Sequence, residues 1–212
     1  MSRVTAKICG LSTPEALDAA IAGGASHVGF VFFPKSPRNI SIDRAAALAE
    51  RVASRAKIVG LFVNPEPALI DAVRASVHLD ALQLHGDEHP ALVGRLQMRH
   101  GIEAWKAIPV RTSSDLASSH KYRGHRILFD AKAPIGSDIP GGNGLRFDWT
   151  LLNGFRHTSP WALSGGLDAR NVTEAVRVTG ATLVDVSSGV ESTPGVKDVD
   201  KIAAFLKAVA QC

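Results

Sequence analysis

The 212-residue chain is 45% hydrophobic and 21% charged, enough apolar material to bury a core and too much for a disordered chain, and its length sits at the lower end of the roughly 200–250 residues of one α/β barrel. Lys and Arg outnumber Asp and Glu 24 to 20, a formal charge of +4, but they are scattered singly, without the basic runs of a nucleic-acid surface; the excess reads as a mild bias toward anionic small molecules or as an ordinary solvated surface. Two cysteines, Cys9 and Cys212, are too few for a disulfide framework, and with no signal-peptide core and no apolar run of ~18 residues the expectation is one cytoplasmic domain over 1–212, with no membrane and no nucleic-acid partner.

Short apolar runs alternate with segments of helical period along the whole chain, the pattern of parallel βα units. The first strand covers 5–9, and its helix opens at Ser12 and Thr13, with Pro14 and Glu15 in the first turn and Gly23-Gly24 at its end. The second strand is His27-Val28-Gly29-Phe30-Val31-Phe32, followed through the proline-punctuated loop 34–39 by a helix near 42–52. Strand 57–63 with helix 66–77, strand 81–84 with helix 89–98, and strand 103–109 with a helical stretch near 114–120 make the third to fifth units.

Arg126-Ile127-Leu128-Phe129-Asp130 is the sixth strand, and a glycine-rich loop through Gly144 separates it from a short helical stretch near 148–152. A loop of that length in a compact domain is usually functional or disordered. Strand 161–164 leads through Gly165-Gly166 to a helix near 169–179, and strand 183–186 leads through Ser187-Ser188-Gly189 to a final helix over 199–210. Eight such units in this length suit an α/β fold closed as a single (β/α)8 TIM barrel, because closure removes both sheet edges.

In a parallel barrel the loops that follow the strands share one face, so residues distant in sequence converge there. Lys7 and Cys9 share a side of the first strand by its period of two, and an ammonium beside a thiol is expected to lower the thiol pKa and supply a thiolate base. The alternative is a small buried hydrophobe. Asp130 ends an apolar strand, a setting that favours the neutral acid and general-acid chemistry, against a reading as a helix cap or a partner for Lys132.

Gly165-Gly166 and Ser187-Ser188-Gly189 stand after strands seven and eight, where this architecture builds phosphate sites from backbone N–H groups; the competing reading is turn chemistry. Arg38 has the fork geometry to clamp a carboxylate by two parallel N–H bonds. Gln83 and His85 follow strand four, where His85 either orients a ligand or is a satisfied structural histidine, and Asp185 closes strand eight. His78, His100 and His120 show no ligand spacing with carboxylates or cysteine, so no metal is expected.

Taken in order, Lys7-Ile8-Cys9-Gly10, Gly29-Phe30-Val31-Phe32 with Pro34-Lys35-Ser36-Pro37-Arg38, Gln83-Leu84-His85-Gly86 and Lys106-Ala107-Ile108 resemble the signatures of phosphoribosylanthranilate isomerase. Phe129-Asp130-Ala131-Lys132, Gly141-Gly142-Asn143-Gly144, Ser164-Gly165-Gly166-Leu167 and Asp185-Val186-Ser187-Ser188-Gly189-Val190-Glu191, with Pro194-Gly195 and Lys197-Asp198, extend the resemblance over nearly the whole chain. It implies a (β/α)8-barrel enzyme of tryptophan biosynthesis that converts N-(5-phosphoribosyl)anthranilate into 1-(o-carboxyphenylamino)-1-deoxyribulose 5-phosphate by an Amadori rearrangement, with no metal and no cofactor.

The resemblance also implies roles, Cys9 as general base, Asp130 as general acid and Arg38 for the anthranilate carboxylate; Lys7, Gln83, His85 and Asp185, at the strand ends of the same face, are expected as further substrate contacts. The resemblance assigns Gly165, Gly166, Ser188 and Gly189 to the phosphate; Gly142 and Gly144 are expected beside them, on a loop that closes over the ligand as mobile βα loops do. The stretch from Ile135 to Pro140, and Asn143 in place of a small hydroxyl residue, depart from the family pattern. Related barrels would differ elsewhere: a phosphopentose epimerase calls for metal-binding histidines, a histidine-pathway isomerase for aspartate at Cys9, and a silent binding barrel for loss of the acid or base. Monomer and homodimer stay open.

Overall fold

The computed structural model describes residues 3–134, 136–155 and 158–212; Ile135 of the departing stretch lies outside them, as do the first two residues. Eight parallel strands, β1 (Thr5–Cys9), β2 (His27–Phe32), β3 (Lys57–Phe62), β4 (Ala81–Leu84), β5 (Glu103–Val110), β6 (Arg126–Ala131), β7 (Trp161–Leu163) and β8 (Leu183–Val186), close in chain order into a barrel. The expected architecture is present, and β8 returns to β1 with Lys7 opposite Asp185.

The helices are α1 (Pro14–Ala22), α2 (Ile42–Val52), α3 (Pro67–Ser76), α4 (Pro90–His100), α5 (Ser113–Ala117), α6 (Val172–Thr179) and α7 (Val199–Val209). Their starts follow capping chemistry: Thr13 Oγ1 accepts from the Ala16 N–H, Ser41 Oγ from Arg44, and Asp198 Oδ1 from Asp200 and Lys201. Proline stands in the first turn of α1, α3 and α4, where its missing N–H costs no helical bond. Among the described residues between β6 and β7 the one helical element is a short 3-10 turn, Trp149–Leu152, where the other units place a helix.

Strand side chains alternate between two environments. Outward ones such as Ile8, Phe30, Leu82 and Phe129 join the apolar faces of the helices in one continuous core. Inward ones form separate clusters, one around Trp105, Leu128 and Leu183 and another of Cys9, Val31 and Leu61. Burying each large apolar side chain stabilises the fold by about 1.5–3 kcal/mol. Lys7, Gln83 and Asp185 interrupt this apolar interior although all three are buried.

Beyond shifts of a residue or two at other ends, the structure differs from the sequence reading in three respects near the site. Strand β6 runs to Ala131, so Asp130 lies inside the strand and not at its end. Helix α6 begins at Val172 and not near 169, because Asp168 and Asn171 form a reciprocal turn, the Asp168 N–H donating to Asn171 Oδ1 at 2.9 Å and the Asn171 N–H to Asp168 Oδ1 at 3.1 Å. An antiparallel hairpin, β9 (Glu191–Thr193) with β10 (Val196–Lys197), was not anticipated between β8 and α7. Among the described residues no helix is long and apolar enough to cross a membrane.

Candidate active site

A cavity at the C-terminal mouth brings together Cys9 from β1, Arg38 from the loop after β2, Gln83 and His85 from β4 and its loop, Asp130 from β6 and Asp185 from β8. Val31, Phe33, Leu61 and Val63 supply an apolar wall, and Gly142, Gly144, Gly165, Gly166 and Ser188 lie along the rim. Two of the residues singled out in the sequence do not line it. Lys7 is 0% exposed beneath the cavity, with Nζ 2.9 Å from Asp185 Oδ1, so in this structure its charge supports Asp185. Gly189 packs against the Leu167 carbonyl.

The expected lowering of the Cys9 pKa is overturned. Burial pushes the thiol above its ordinary value; Lys7 and Lys197 pull it down without prevailing, and Asp185 adds to the rise. The carboxylate that faces Lys7 across the β1–β8 register offsets the field the ammonium exerts on the thiol. Lys7 itself stays protonated: burial works against its charge, but Asp185 and Cys9 outweigh it and raise its pKa.

Asp130 is 4% exposed, and both its oxygens have partners. Oδ1 accepts from the Ala131 N–H at 2.9 Å, and Oδ2 lies 3.1 Å from His85 Nε2. His85 Nδ1 lies 3.3 Å from Gln83 Nε2. The competing reading of Asp130 as a partner for Lys132 fails, because Lys132 Nζ lies 3.6 Å from Asp115. Gly141 crosses directly above the pair: a Cβ there would stand 2.7 Å from both Asp130 Oδ2 and His85 Nε2, so the loop comes this close only because the residue is glycine.

Arg38 does clamp a carboxylate, but one of the protein's own. Nε and Nη2 donate to Glu191 at 2.7 and 2.8 Å, and Nη2 also donates to the Gly142 carbonyl at 3.1 Å. Among the described residues Nη1 makes no hydrogen bond, and it is this edge that remains for a ligand. Lys197 Nζ donates to the same Glu191 at 2.7 Å and to the Ser187 carbonyl at 2.9 Å. Burial pushes the Glu191 carboxyl up, but hydrogen bonds from Arg38 and Lys197 prevail and hold it below the ordinary carboxylate range. Two cations on one carboxylate leave this cluster, of which Arg38 reaches the cavity, with a net positive charge.

The loop that carries His85 is held by a second buried ion pair. Lys106 Nζ donates to the Gly86 carbonyl at 2.6 Å and lies 3.1 Å from Glu88 Oε2, while Glu88 Oε1 accepts from the N–H groups of Asn64 at 2.8 Å and Gly86 at 3.0 Å. On β8, Ser187 Oγ donates to the Cys9 carbonyl at 3.2 Å and ties that loop to β1. Glu191, Lys197, Glu88 and Lys106 were given no role from sequence. The available signals were a lone lysine in the buried strand Ala104-Trp105-Lys106-Ala107 and opposite charges flanking the Pro194-Gly195 turn.

A family model described as N-(5'phosphoribosyl)anthranilate (PRA) isomerase matches residues 6–208. The N-(5'-phosphoribosyl)anthranilate isomerase of Rhodospirillum centenum is 52% identical over 210 residues, covering 98% of each chain. The crystal structure of phosphoribosyl anthranilate isomerase from Thermotoga maritima superposes with a TM-score of 0.90 at 39% identity, over 99% of this chain and 100% of that one. A phosphoribosyl anthranilate isomerase solved in complex with reduced 1-(o-carboxyphenylamino)-1-deoxyribulose 5-phosphate superposes at 0.84 with 38% identity, over 99% and 100%. With the barrel, the cavity and a match that runs almost from end to end, the chain belongs to the N-(5'-phosphoribosyl)anthranilate isomerase family.

Proposed function

We propose that the chain, acting as one unit over 1–212, converts N-(5'-phosphoribosyl)anthranilate into 1-(o-carboxyphenylamino)-1-deoxyribulose 5-phosphate in tryptophan biosynthesis, with Cys9 as base and Asp130 as acid. The observation that carries these roles is the convergence of a thiol from β1 and a carboxyl from β6 on one cavity.

Asp130 gives its proton to the furanose oxygen; the ring C–O bond breaks with its electron pair going to that oxygen, and the anthranilate nitrogen lone pair forms a C=N bond. Cys9 acts in its minority thiolate form, which Lys7 and Lys197 favour against the cost of burial. It then takes the proton from the adjacent carbon, the electrons of that C–H bond form the C=C bond as the C=N pair returns to nitrogen, and the resulting enolamine tautomerises to the ketone. The substrate nitrogen is itself the electron sink, so the step needs neither metal nor cofactor. General acid and base steps each contribute about 10²–10⁴-fold, with positioning supplying much of the remainder.

The substrate carries an anion at each end. The rim of Gly144, Gly165, Gly166 and Ser188 suits the phosphate, with Gly142 and Gly189 shaping the loops beside it. Arg38 Nη1 and the net positive charge of its cluster suit the carboxylate. His85 and Asp185 supply the polar floor, and Gln83 stands buried behind His85. A reducing cytoplasm, which keeps Cys9 as a free thiol, is the compartment this chemistry calls for.

The test is to generate substrate from anthranilate and phosphoribosyl pyrophosphate with the upstream transferase and follow the decay of its fluorescence. Cys9→Ser and Asp130→Asn should each lower kcat by at least ~10²-fold, while affinity for the reduced product analogue stays within about tenfold. Near-normal turnover in either variant overturns the assignment of that residue.

A further inference from the structure

Gln83 is fully buried on β4, and its Oε1 has no hydrogen-bond partner, whereas Nε2 faces His85 Nδ1 at 3.3 Å. His85 Nε2 in turn faces Asp130 Oδ2 at 3.1 Å. The three side chains form one hydrogen-bonded chain that ends on the acid, and its sense is a matter of which ring nitrogen carries the proton. If the Gln83 N–H donates, Nδ1 accepts, the ring proton sits on Nε2, and His85 donates to Asp130. In the opposite sense Nε2 accepts, and the acidic proton is committed to an Asp130 O–H···N bond.

Only the first sense is compatible with proton delivery to a ligand. We infer that Gln83 is a positioning residue for the acid, which by holding Nδ1 of His85 as an acceptor keeps the ring from competing for the proton of Asp130 and keeps Nε2–H aimed at its carboxyl. The inference rests on the reading of Asp130 as the acid. When the Asp130 O–H bond breaks and the proton goes to the furanose oxygen, the electron pair stays on the carboxylate. That carboxylate finds two donors already in place, the Ala131 N–H at Oδ1 and the His85 Nε2–H at Oδ2. Both bonds become charge-assisted as the charge develops, which is how fixed donors favour a transition state over the ground state.

Two further observations bear on the assignment. The Gly141 backbone lies so close above Asp130 Oδ2 and His85 Nε2 that this contact is covered by the loop. The lack of any partner for Oε1 leaves His85 as the one hydrogen-bonding neighbour found for the Gln83 amide among the described residues, so holding the ring is the one such contact this buried polar side chain makes.

The experiment combines 15N NMR of the His85 ring with kinetics. In the wild-type enzyme the neutral ring should carry its proton on Nε2. Gln83→Met, similar in length but unable to hydrogen-bond, should show a mixture of tautomers and a kcat reduced tenfold or more, with the Kd for reduced 1-(o-carboxyphenylamino)-1-deoxyribulose 5-phosphate within threefold of wild type. A wild-type ring protonated on Nδ1, or a Gln83→Met enzyme with unchanged kcat, overturns the inference. The NMR result stands even if the variant fails to fold. Asp130→Asn separates the two readings: if it is inactive while Gln83→Met is fully active, this inference alone falls, and if it turns over normally the acid assignment falls with it.

Discussion

Arg38 and Glu191 are joined by two hydrogen bonds, 2.7 Å from Nε to Oε1 and 2.8 Å from Nη2 to Oε2, which fasten the loop after β2 to the β9–β10 hairpin. Lys197 on the second strand of that hairpin shares the same carboxylate. All three groups are largely buried, so removing the anion leaves two cations facing each other in a poorly solvated site. Breaking a buried pair in this way typically costs about 3–5 kcal/mol. Glu191→Ala should therefore lose stability of that order in urea denaturation and raise KM, because Arg38 is no longer held against the cavity. A loss under ~1 kcal/mol, the range of surface ion pairs, would show that the cluster is well solvated.

Glycine at the rim is a second place where geometry dictates a measurable outcome. Gly165 has φ +90, and a Cβ there would stand 2.6 Å from the Ala131 N and 3.1 Å from Asp130 Oδ1, so backbone and acid must both shift. Gly180, at the end of α6, has φ +70 with nothing within 4 Å of a Cβ. Gly180→Ala isolates the cost of the backbone conformation, about 1–2 kcal/mol. Gly165→Ala should exceed it and also reduce kcat at least tenfold. Equal stability losses with unchanged kcat would mean that β6 and β7 yield freely at this point.

The ion pair beneath the His85 loop makes a third case. Burial lowers the pKa of Lys106 against the attraction of Glu88, and the ammonium also donates to the Gly86 carbonyl. Lys106→Met removes the cation and leaves Glu88, itself only 3% exposed, without its counter-charge. The expected result is a loss of about 3–5 kcal/mol and faster amide exchange at Gly86 and its neighbours. Glu88→Gln combined with Lys106→Met should recover part of that loss, since no buried charge then stands alone. A double variant no more stable than the single one would place the damage in packing.

What the sequence made visible, and what it hid, follows one division. The eight strands were legible because each is a short apolar run such as Ile127-Leu128-Phe129, and Cys9 and Asp130 stood out as reactive groups at the ends of such runs. The hairpin was not, since strands of three and two residues carry no periodicity. Partnerships across the barrel were equally hidden: Lys7 beside Cys9 could be read from spacing, but Asp185 facing Lys7 could not, and that carboxylate decides what the ammonium does to the thiol. Likewise the fork of Arg38 was foreseeable, while its engagement by Glu191 depends on a loop packed from the far end of the chain. Local chemistry was readable, and the charge balance set by non-local neighbours was not.

His27 gives stability a pH dependence whose direction can be worked out. Its ring packs edge-on to Trp105, with centroids 5.2 Å apart, inside the lower barrel. Burial, helped by Lys7, Arg126 and Lys57 and opposed by Glu103, lowers its pKa from 6.5 to about 4. As pH falls below 6.5 the unfolded chain binds a proton at this position while the folded chain stays neutral until about pH 4. The unfolded state therefore binds more protons in that window, and stability is full above it and declines through it, by up to about 1.4 kcal/mol per pH unit from this group. Urea denaturation at pH 7.5 and pH 5 should show this decline in the wild type and a shallower one in His27→Gln, whose side chain cannot titrate. Parallel declines in the two proteins would assign the acid sensitivity to other groups and show that the His27 ring accepts a proton in the folded barrel as readily as in the open chain.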